Sequence, residues 1–150
     1  MIQNLQQRGQ SLLEIIVATG VIVLLVTGLA VGTTVSLRTS QYGNRRSVAI
    51  KYAQEGIELT RSLRDRVPWD EFTAHDTNAD PHIGTPTCLG SDGTYDAGPC
   101  EANLDTLYTR RVVFNWNSVD NRMEISVSVS WNQAGQTPDV TLDTYFTQWK

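Results

Sequence analysis

The chain has 150 residues, of which 40% are hydrophobic and 19% charged, and its formal net charge is −4. This length allows one modest globular domain together with an apolar terminal segment. The acidic balance argues against bulk nucleic-acid binding, which normally requires a basic surface. The sequence contains no nucleophile elbow, phosphate-binding loop or zinc-protease motif, so we expect no enzymatic activity.

The first feature along the chain is an apolar segment, residues 12–31, whose only charged residue is Glu14. As a helix this segment would be about 30 Å long, which matches the hydrocarbon core of a bilayer. An ionisable group within such a span is costly, so we expect Glu14 to have a function and a charged partner. Residues 1–9 are predicted to be a processed leader outside the folded structure. With Arg8 on the cytoplasmic side, the C-terminal domain would lie outside.

Residues 8–14 (RGQSLLE), followed by the apolar span, resemble the class III signal of type IV prepilins and the related secretion pseudopilins. In this family a membrane peptidase cuts after a glycine, the new N-terminal amine is methylated, and a glutamate at the fifth mature position guides subunits into a helical fibre. The resemblance implies cleavage after Gly9, a mature N-terminus at Gln10 and an assembly role for Glu14. The chain departs from the family at Gln10, where Phe or Met is usual, and it lacks the mid-span proline.

Two other interpretations of the apolar segment remain open. A secretory signal peptide would have a shorter apolar region followed by a small-residue cleavage site, for which residues 30–32 (AVG) would serve. A plain signal anchor, the second alternative, would require only that the segment be long and apolar enough to span the membrane. Neither alternative explains the spacing of Gly9 and Glu14, which the prepilin interpretation explains.

Residues 10–32 are predicted to be a transmembrane or fibre-core helix, and residues 33–67 its amphipathic continuation. In the second part apolar side chains recur at helical spacing, at Val48, Ala49, Tyr52, Ala53, Ile57, Leu59 and Leu63. We expect the helix to bend near Gly43 and to end before Pro68, because a residue that precedes proline disfavours helical geometry. Residues 53–58 (AQEGIE), with Arg61 and Asp65, also resemble the corresponding segment of V-type minor pilins.

Residues 68–107 are polar and show no periodicity, which predicts a long loop between the helix and a sheet. The loop contains Cys88 and Cys100, for which a disulfide is expected in a domain outside the cytosol, with two free thiols as the alternative. A zinc site that combines these cysteines with His75 and His82 is disfavoured, because the spacings fit no usual pattern.

The same loop carries Asp76, Asn78 and Asp80, whose oxygen-bearing side chains match the opening of a calcium-binding loop. Pro81 and Thr87 stand where an EF-hand requires glycine and glutamate, so the segment is not an EF-hand. Some pseudopilins bind calcium in head loops. A calcium site therefore remains an alternative to a solvated turn, and no other cofactor is expected.

Residues 108–150 alternate between apolar and polar side chains, as antiparallel strands covered on one face do. The predicted fold class is α+β, a long helix packed on a C-terminal antiparallel sheet, which matches the type IV pilin fold that the resemblance implies. Four arginines that could form basic patches are interpreted as solvated side chains, namely Arg45, Arg46, Arg110 and Arg111. The edge of the last strand, within residues 144–149, is expected to be available to a partner subunit.

The resemblance implies a minor type IV pilin-like subunit, held in the cytoplasmic membrane by a single span and later built into a pilus or pseudopilus on the cell surface. Its implied partners are membrane lipid, the prepilin peptidase and methyltransferase, the inner-membrane assembly platform and other pilin subunits. No nucleic-acid partner is expected. A pseudopilin of a type II secretion system is one alternative. A membrane-anchored adhesin or DNA receptor is another, from a different functional class.

Overall fold

The computed structural model describes residues 6–75, 87–96, 100 and 104–148. The chain divides into two units, residues 1–43 and residues 44–150, and the second unit is called the head domain below. The elements are α1 (Gln6–Arg66), α2 (Trp69–Thr73), β1 (Thr87–Leu89), β2 (Tyr95–Asp96), β3 (Tyr108–Asn117), β4 (Arg122–Trp131) and β5 (Asp139–Thr147). All strand pairs are antiparallel and form one sheet in the order β2-β1-β3-β4-β5. The predicted α+β class is therefore confirmed.

In the first unit every described residue is helical, and the apolar side chains between Leu12 and Leu37 are exposed. α1 begins at Gln6, so residues 6–9 are helical in the uncut chain and not without structure as expected, whereas the removal of residues 1–9 as a leader stays a prediction. These residues include glutamine and arginine, which favour helix, and no residue in this segment prevents α1 from starting early. The backbone is also helical at Gly43, where the two units divide.

In the head domain α1 turns a face of small residues towards the core. The fully covered positions are Ala49, Ala53, Gly56 and Thr60, which recur at helical spacing. The larger apolar residues at this end of α1 lie beside them and are only partly buried, namely Val48, Tyr52, Ile57, Leu59 and Leu63. Because the central residues are small, the helix backbone packs close to the sheet. α1 ends at Arg66, two residues before Pro68, as predicted.

The sheet is built on two long hairpin pairings. β3 pairs with β4 from Tyr108↔Trp131 to Asn117↔Arg122, and β4 pairs with β5 from Arg122↔Thr147 to Ser130↔Asp139. This register places one apolar set on the face that is covered by the rest of the domain. Its most buried members are Val112, Phe114, Met123, Ile125, Val127, Val129 and Trp131. The strict alternation predicted for the last third of the chain is confirmed in β3 and β4.

The prediction that residues 68–107 form one long loop is wrong, because the described part of this segment contributes three elements to the head domain. α2 places Phe72 against Phe114 and Phe146, with ring centroids 6.1 and 6.2 Å apart. β1 and β2 extend the sheet beyond β3, and Leu89 of β1 is fully buried. Elements of two to five residues are too short to show a sequence period, so the pattern could not predict them.

Candidate functional site

The residues predicted to direct processing and assembly lie together at the start of α1. Gly9 and Gln10 fall in its first turns, and Glu14 lies about one turn further on. Glu14 is exposed, and its neighbours Leu13 and Ile15 are 67% and 60% exposed. Within the described residues Glu14 has no ion-pair partner in this single chain. Its predicted role therefore requires a cation from another molecule or from the processed N-terminus.

The apolar part of α1 that begins at Leu12 is long and apolar enough to cross a membrane, as judged by length and composition alone. Its leucine, isoleucine and valine side chains are exposed. Exposed apolar surface of this extent is unfavourable in water, because each buried CH₂ group is worth about 0.8 kcal/mol. Lipid or other protein helices around the segment would remove this cost.

The threonines of this segment satisfy their hydroxyl groups within the helix. Thr19 donates to the carbonyl oxygens of Ile15 and Ile16 at 2.9 Å. Thr34 donates to the Ala30 carbonyl at 2.9 Å, and Thr27, Thr33 and Thr39 make equivalent bonds to carbonyls three or four residues earlier. Hydroxyl groups bonded in this way cost little in an apolar surrounding. Polar side chains in this segment are thus compatible with a lipid or fibre-core environment.

The disulfide between Cys88 and Cys100 is present, which confirms the predicted pairing. The two Cα atoms are 5.4 Å apart, and Cys88 lies in β1. Because both sulfurs are bonded to each other, neither is a thiolate ligand, and this rules out the zinc alternative that used the cysteines. The residues that the structure describes contain no group of three or more His, Cys, Asp or Glu side chains placed to hold a metal.

His75 lies within the described part of the chain, whereas the residues of the predicted calcium site do not. His75 follows α2, and its ring centroid lies 5.8 Å from that of Phe114 and 6.4 Å from that of Tyr95. It is therefore half-buried and packs beside the aromatic core. Asp76, Asn78, Asp80 and His82 lie outside the described residues, so the calcium site remains a prediction.

The interior of the head domain contains a buried arginine that the sequence interpretation placed in solvent. Arg110 of β3 is 0% exposed. Its Nε atom donates to the Leu89 carbonyl at 3.1 Å, Nη1 to the Tyr52 carbonyl at 3.0 Å and Nη2 to the Gly90 carbonyl at 2.6 Å. Glu55 supplies a carboxylate oxygen 3.6 Å from Nη1. One guanidinium group thereby connects α1, β1 and β3, and we call this arrangement the Arg110 clamp.

The prediction that the Arg110 side chain is solvated is wrong. The reason is the face of the strand on which Arg110 lies. Arg110 lies on the covered face of β3 together with Val112 and Phe114. Arg111 lies on the opposite face and is exposed. Burial lowers the pKa of Arg110, and the nearby Glu55 carboxylate opposes that effect. The alternation of apolar and polar side chains along β3 would have predicted that Arg110 is buried. Arg46 is exposed as predicted, and Arg45 donates to the Asn132 carbonyl at 3.2 Å.

The turn between β1 and β2 holds one of the carbonyl groups that the clamp uses. Gly90 donates its N–H to the Thr94 carbonyl at 3.0 Å. The Asp92 carboxylate accepts the Thr94 N–H at 3.0 Å and the Thr94 hydroxyl at 2.7 Å, and these bonds lower the pKa of Asp92. This turn fixes the direction in which the Gly90 carbonyl points.

A second polar contact joins α1 to the residues just before β3. The Tyr52 hydroxyl donates a hydrogen bond to the Asp105 carboxylate. This hydrogen bond, together with burial and the negative charge of Asp105, raises the pKa of Tyr52 to about 12. The Tyr52 ring also packs edge-on against Tyr108, with centroids 5.3 Å apart. Tyr52 therefore contributes its ring and hydroxyl to this contact and its carbonyl to the Arg110 clamp.

Comparisons of the chain with protein-family models, with curated proteins and with solved structures found no match. The functional interpretation therefore depends on this chain's own residues. These are the residues at the start of α1 that are predicted to direct processing and assembly, the exposed apolar segment of α1, and the head domain with its Arg110 clamp and disulfide.

Proposed function

We propose that this protein is a minor type IV pilin-like subunit. In this proposal a prepilin peptidase cuts the chain after Gly9, and the mature subunit, starting at Gln10, is held in the cytoplasmic membrane by residues 12–31. The subunits then leave the bilayer and assemble through these helices into a pilus or pseudopilus. The head domain lies on the outer surface of the fibre.

The observation that carries the proposal is the exposed apolar part of α1, with Glu14 as its single carboxylate and Gly9 five residues earlier. The apolar surface favours lipid or a bundle of like helices over water. A plain anchor would require this surface but not the carboxylate. The α+β layout of the chain is compatible with the proposal.

The role proposed for Glu14 follows from the cost of an unpaired charge in an apolar core, which is several kcal/mol even after relaxation. Cleavage after Gly9 creates a positively charged amine on Gln10 of every subunit. An ion pair between Glu14 and the amine of a neighbouring subunit would satisfy both charges in the fibre core. Because the pair forms only at one axial offset between the helices, it would also set their register.

The first test is the mass and N-terminal sequence of the full chain, extracted from membranes after co-expression with a prepilin peptidase. We expect a product that starts at Gln10, with or without an added methyl group, and uncut protein when the peptidase is catalytically inactive. The Gly9→Val variant, which places a branched side chain at the cleavage site, should also remain uncut. A product that starts at Met1 or near Thr33 in the presence of active peptidase would overturn the proposal.

The second test addresses assembly, using Glu14→Gln, which removes the charge and keeps the size of the side chain. We expect this variant to be cut normally and to be lost from sheared fibres. Glu58→Gln is the matched control, because Glu58 pairs with Arg61 on the exposed surface of α1 and should not affect incorporation. Wild-type incorporation of Glu14→Gln would exclude the proposed ion pair while leaving the cleavage result intact.

A further inference from the structure

The two edges of the sheet differ in length. β2 forms one edge with two residues, whereas β5 forms the other edge with nine. β5 pairs with β4 along its full length, from Asp139 to Thr147. Among the described residues no backbone group is hydrogen-bonded to the opposite side of β5. A long edge of this kind is able to accept a further strand.

The register identifies the backbone groups that point away from the sheet. The Trp131 N–H donates to the Pro138 carbonyl at 3.1 Å, so residues 131 and 138 form a hydrogen-bonded pair. Such pairs alternate along an antiparallel ladder, so residues 140, 142, 144 and 146 direct their N–H and C=O groups to β4. The outward groups therefore belong to Asp139, Thr141, Asp143, Tyr145 and Thr147.

The side chains of these same five residues are all exposed, and two of them are acidic. Asp143 accepts a hydrogen bond from the Ser126 hydroxyl at 2.5 Å, and Asp139 accepts one from Thr141 at 3.3 Å. Within the described residues neither carboxylate has a cation within 4.0 Å. The edge thus presents two negative charges, about 13 Å apart along the strand, with no cation within 4.0 Å among the described residues.

The exposed face of the sheet also carries Arg111 and Arg122, and Arg122 is held by other groups. Arg122 donates to Glu124 at 2.7 Å, lies 3.3 Å from Asp120, and its guanidinium carbon lies 5.5 Å from the centre of the Tyr145 ring. On the covered face Val140 and Leu142 are only partly buried against the core. The edge therefore combines uncompensated acidic groups on one face with incompletely covered apolar groups on the other.

These features disfavour a second copy of the same strand as the partner. An antiparallel β5 pair centred on Asp143 would place the two Asp143 side chains opposite each other. A pair centred on Thr141 would place Asp139 opposite Asp143 twice. Like charges directly opposite each other are destabilising. A register centred on Leu142 avoids them by placing Asp143 opposite Thr141. Because β5 contains no basic residue, however, no pair of β5 strands supplies a cation to Asp139 or Asp143.

We propose that the free edge of β5 binds an extended segment of a different protein in which the side chains alternate as basic, apolar, polar, apolar, basic. The two basic side chains would lie opposite Asp139 and Asp143 on the exposed face. The two apolar side chains would lie beside Val140 and Leu142 and complete the cover of the core. This interaction belongs to the head domain and depends on neither cleavage after Gly9 nor fibre formation.

The experiment uses the full chain in detergent micelles and a fluorescent peptide of the same length as β5 with Lys-Val-Thr-Val-Lys at its centre. Fluorescence anisotropy should show saturable binding that weakens with added salt. A peptide with Glu in place of both Lys residues should bind about tenfold more weakly, because two attractive pairs become repulsive. A peptide of the original composition, with Lys-Lys-Val-Val-Thr at its centre, loses the alternation and should also bind more weakly.

Variants of the chain complete the test. Asp143→Asn keeps the shape of the side chain and should weaken binding of the Lys peptide, and Asp139→Lys with Asp143→Lys should make the Glu peptide the better ligand. Asp70→Asn on α2, exposed and outside the sheet, is the matched control and should leave binding unchanged. Bound peptide should protect the amides of Thr141, Asp143 and Tyr145 from hydrogen exchange. Binding that is unaffected by Asp143→Asn, or protection of these amides by self-association without peptide, would overturn the proposal.

Discussion

Gly56 of α1 lies so close to Val127 of β4 that a Cβ atom at residue 56 would be 2.8 Å from the Val127 Cγ1 atom and 3.0 Å from the Arg110 Cδ atom. A Cβ contact of 2.8 Å is shorter than real ones, so the Val127 side chain, or α1 and the sheet themselves, would have to move to accept a side chain at residue 56. The glycine therefore permits the close approach of the helix to the sheet. It also leaves room for the Arg110 side chain to reach the Tyr52 carbonyl.

We expect Gly56→Ala to destabilise the head domain, although alanine favours helix by about 1 kcal/mol over glycine. The added methyl group overpacks the core, which costs about 1–3 kcal/mol on its own and disturbs the Arg110 clamp as well. The check is urea unfolding of the full chain in micelles. Gly43→Ala is the matched control, because a Cβ there meets no heavy atom within 4 Å, and it should not lower stability. Equal stability of the two variants would contradict the close approach.

Removal of the Arg110 guanidinium should lower the stability of the head domain far more than removal of the Arg111 guanidinium. Arg110→Met deletes three hydrogen bonds to the carbonyls of Tyr52, Leu89 and Gly90, and we expect a loss of about 2–4 kcal/mol in the free energy of unfolding. Arg111→Met changes an exposed side chain and should stay within about 0.5 kcal/mol of the wild type. Urea unfolding monitored by circular dichroism would measure both. Similar effects of the two variants would show that Arg110 is not the connecting residue.

Reduction of the disulfide should lower the stability of the head domain without unfolding the apolar part of α1. Cys88 and Cys100 are 12 residues apart, and closing a loop of similar size restricts the unfolded chain by about 3 kcal/mol. We expect the urea midpoint to fall when reductant is added. The double variant Cys88→Ser with Cys100→Ser should unfold at the lower midpoint whether or not reductant is present. An unchanged midpoint after verified reduction would rule out this contribution.

Tyr52 should titrate at an unusually high pH. Its folded-state pKa is about 12, above the ordinary value of about 10, because it donates a hydrogen bond to Asp105. A raised folded-state pKa means that the stabilisation is complete below pH 10 and is lost as the pH rises from about 10 to about 12. Ultraviolet absorbance of tyrosinate in the wild type, compared with Tyr52→Phe, would assign this titration. Asp105→Asn should move the pKa back towards its ordinary value, and an unchanged titration would contradict the contact.

Much of the fold was predictable because its long elements repeat a pattern many times. β3, β4 and β5 show period-2 alternation over nine or ten residues, and α1 shows helical spacing up to the stop at Pro68. The disulfide followed from having two cysteines in a domain expected outside the cytosol. The roles of Gly9, Gln10 and Glu14 rest on a local motif, and they stay predictions because they concern other molecules.

The features that sequence reasoning missed arise from contacts between distant residues. In the sequence Gly56 appears only as a residue that destabilises a helix. The position of Val127 shows why a larger side chain is disfavoured there. Arg110 was judged by its charge and not by its phase in β3, although that phase predicts burial. α2, β1 and β2 gain their stability from burying Phe72 and Leu89, which no short sequence pattern can show.

The Arg110 clamp also has a consequence for the order of events during protein synthesis. Arg110 bonds to Tyr52 across 58 residues of sequence and to Leu89 across 21. The ribosome releases the apolar part of α1 first, and the small-residue face at Gly56 has no sheet to pack on until β3 and β4 have been made. Contacts of such long sequence separation form slowly. Release of the apolar segment and closure of the head domain are therefore separate steps in time, and the first precedes the second.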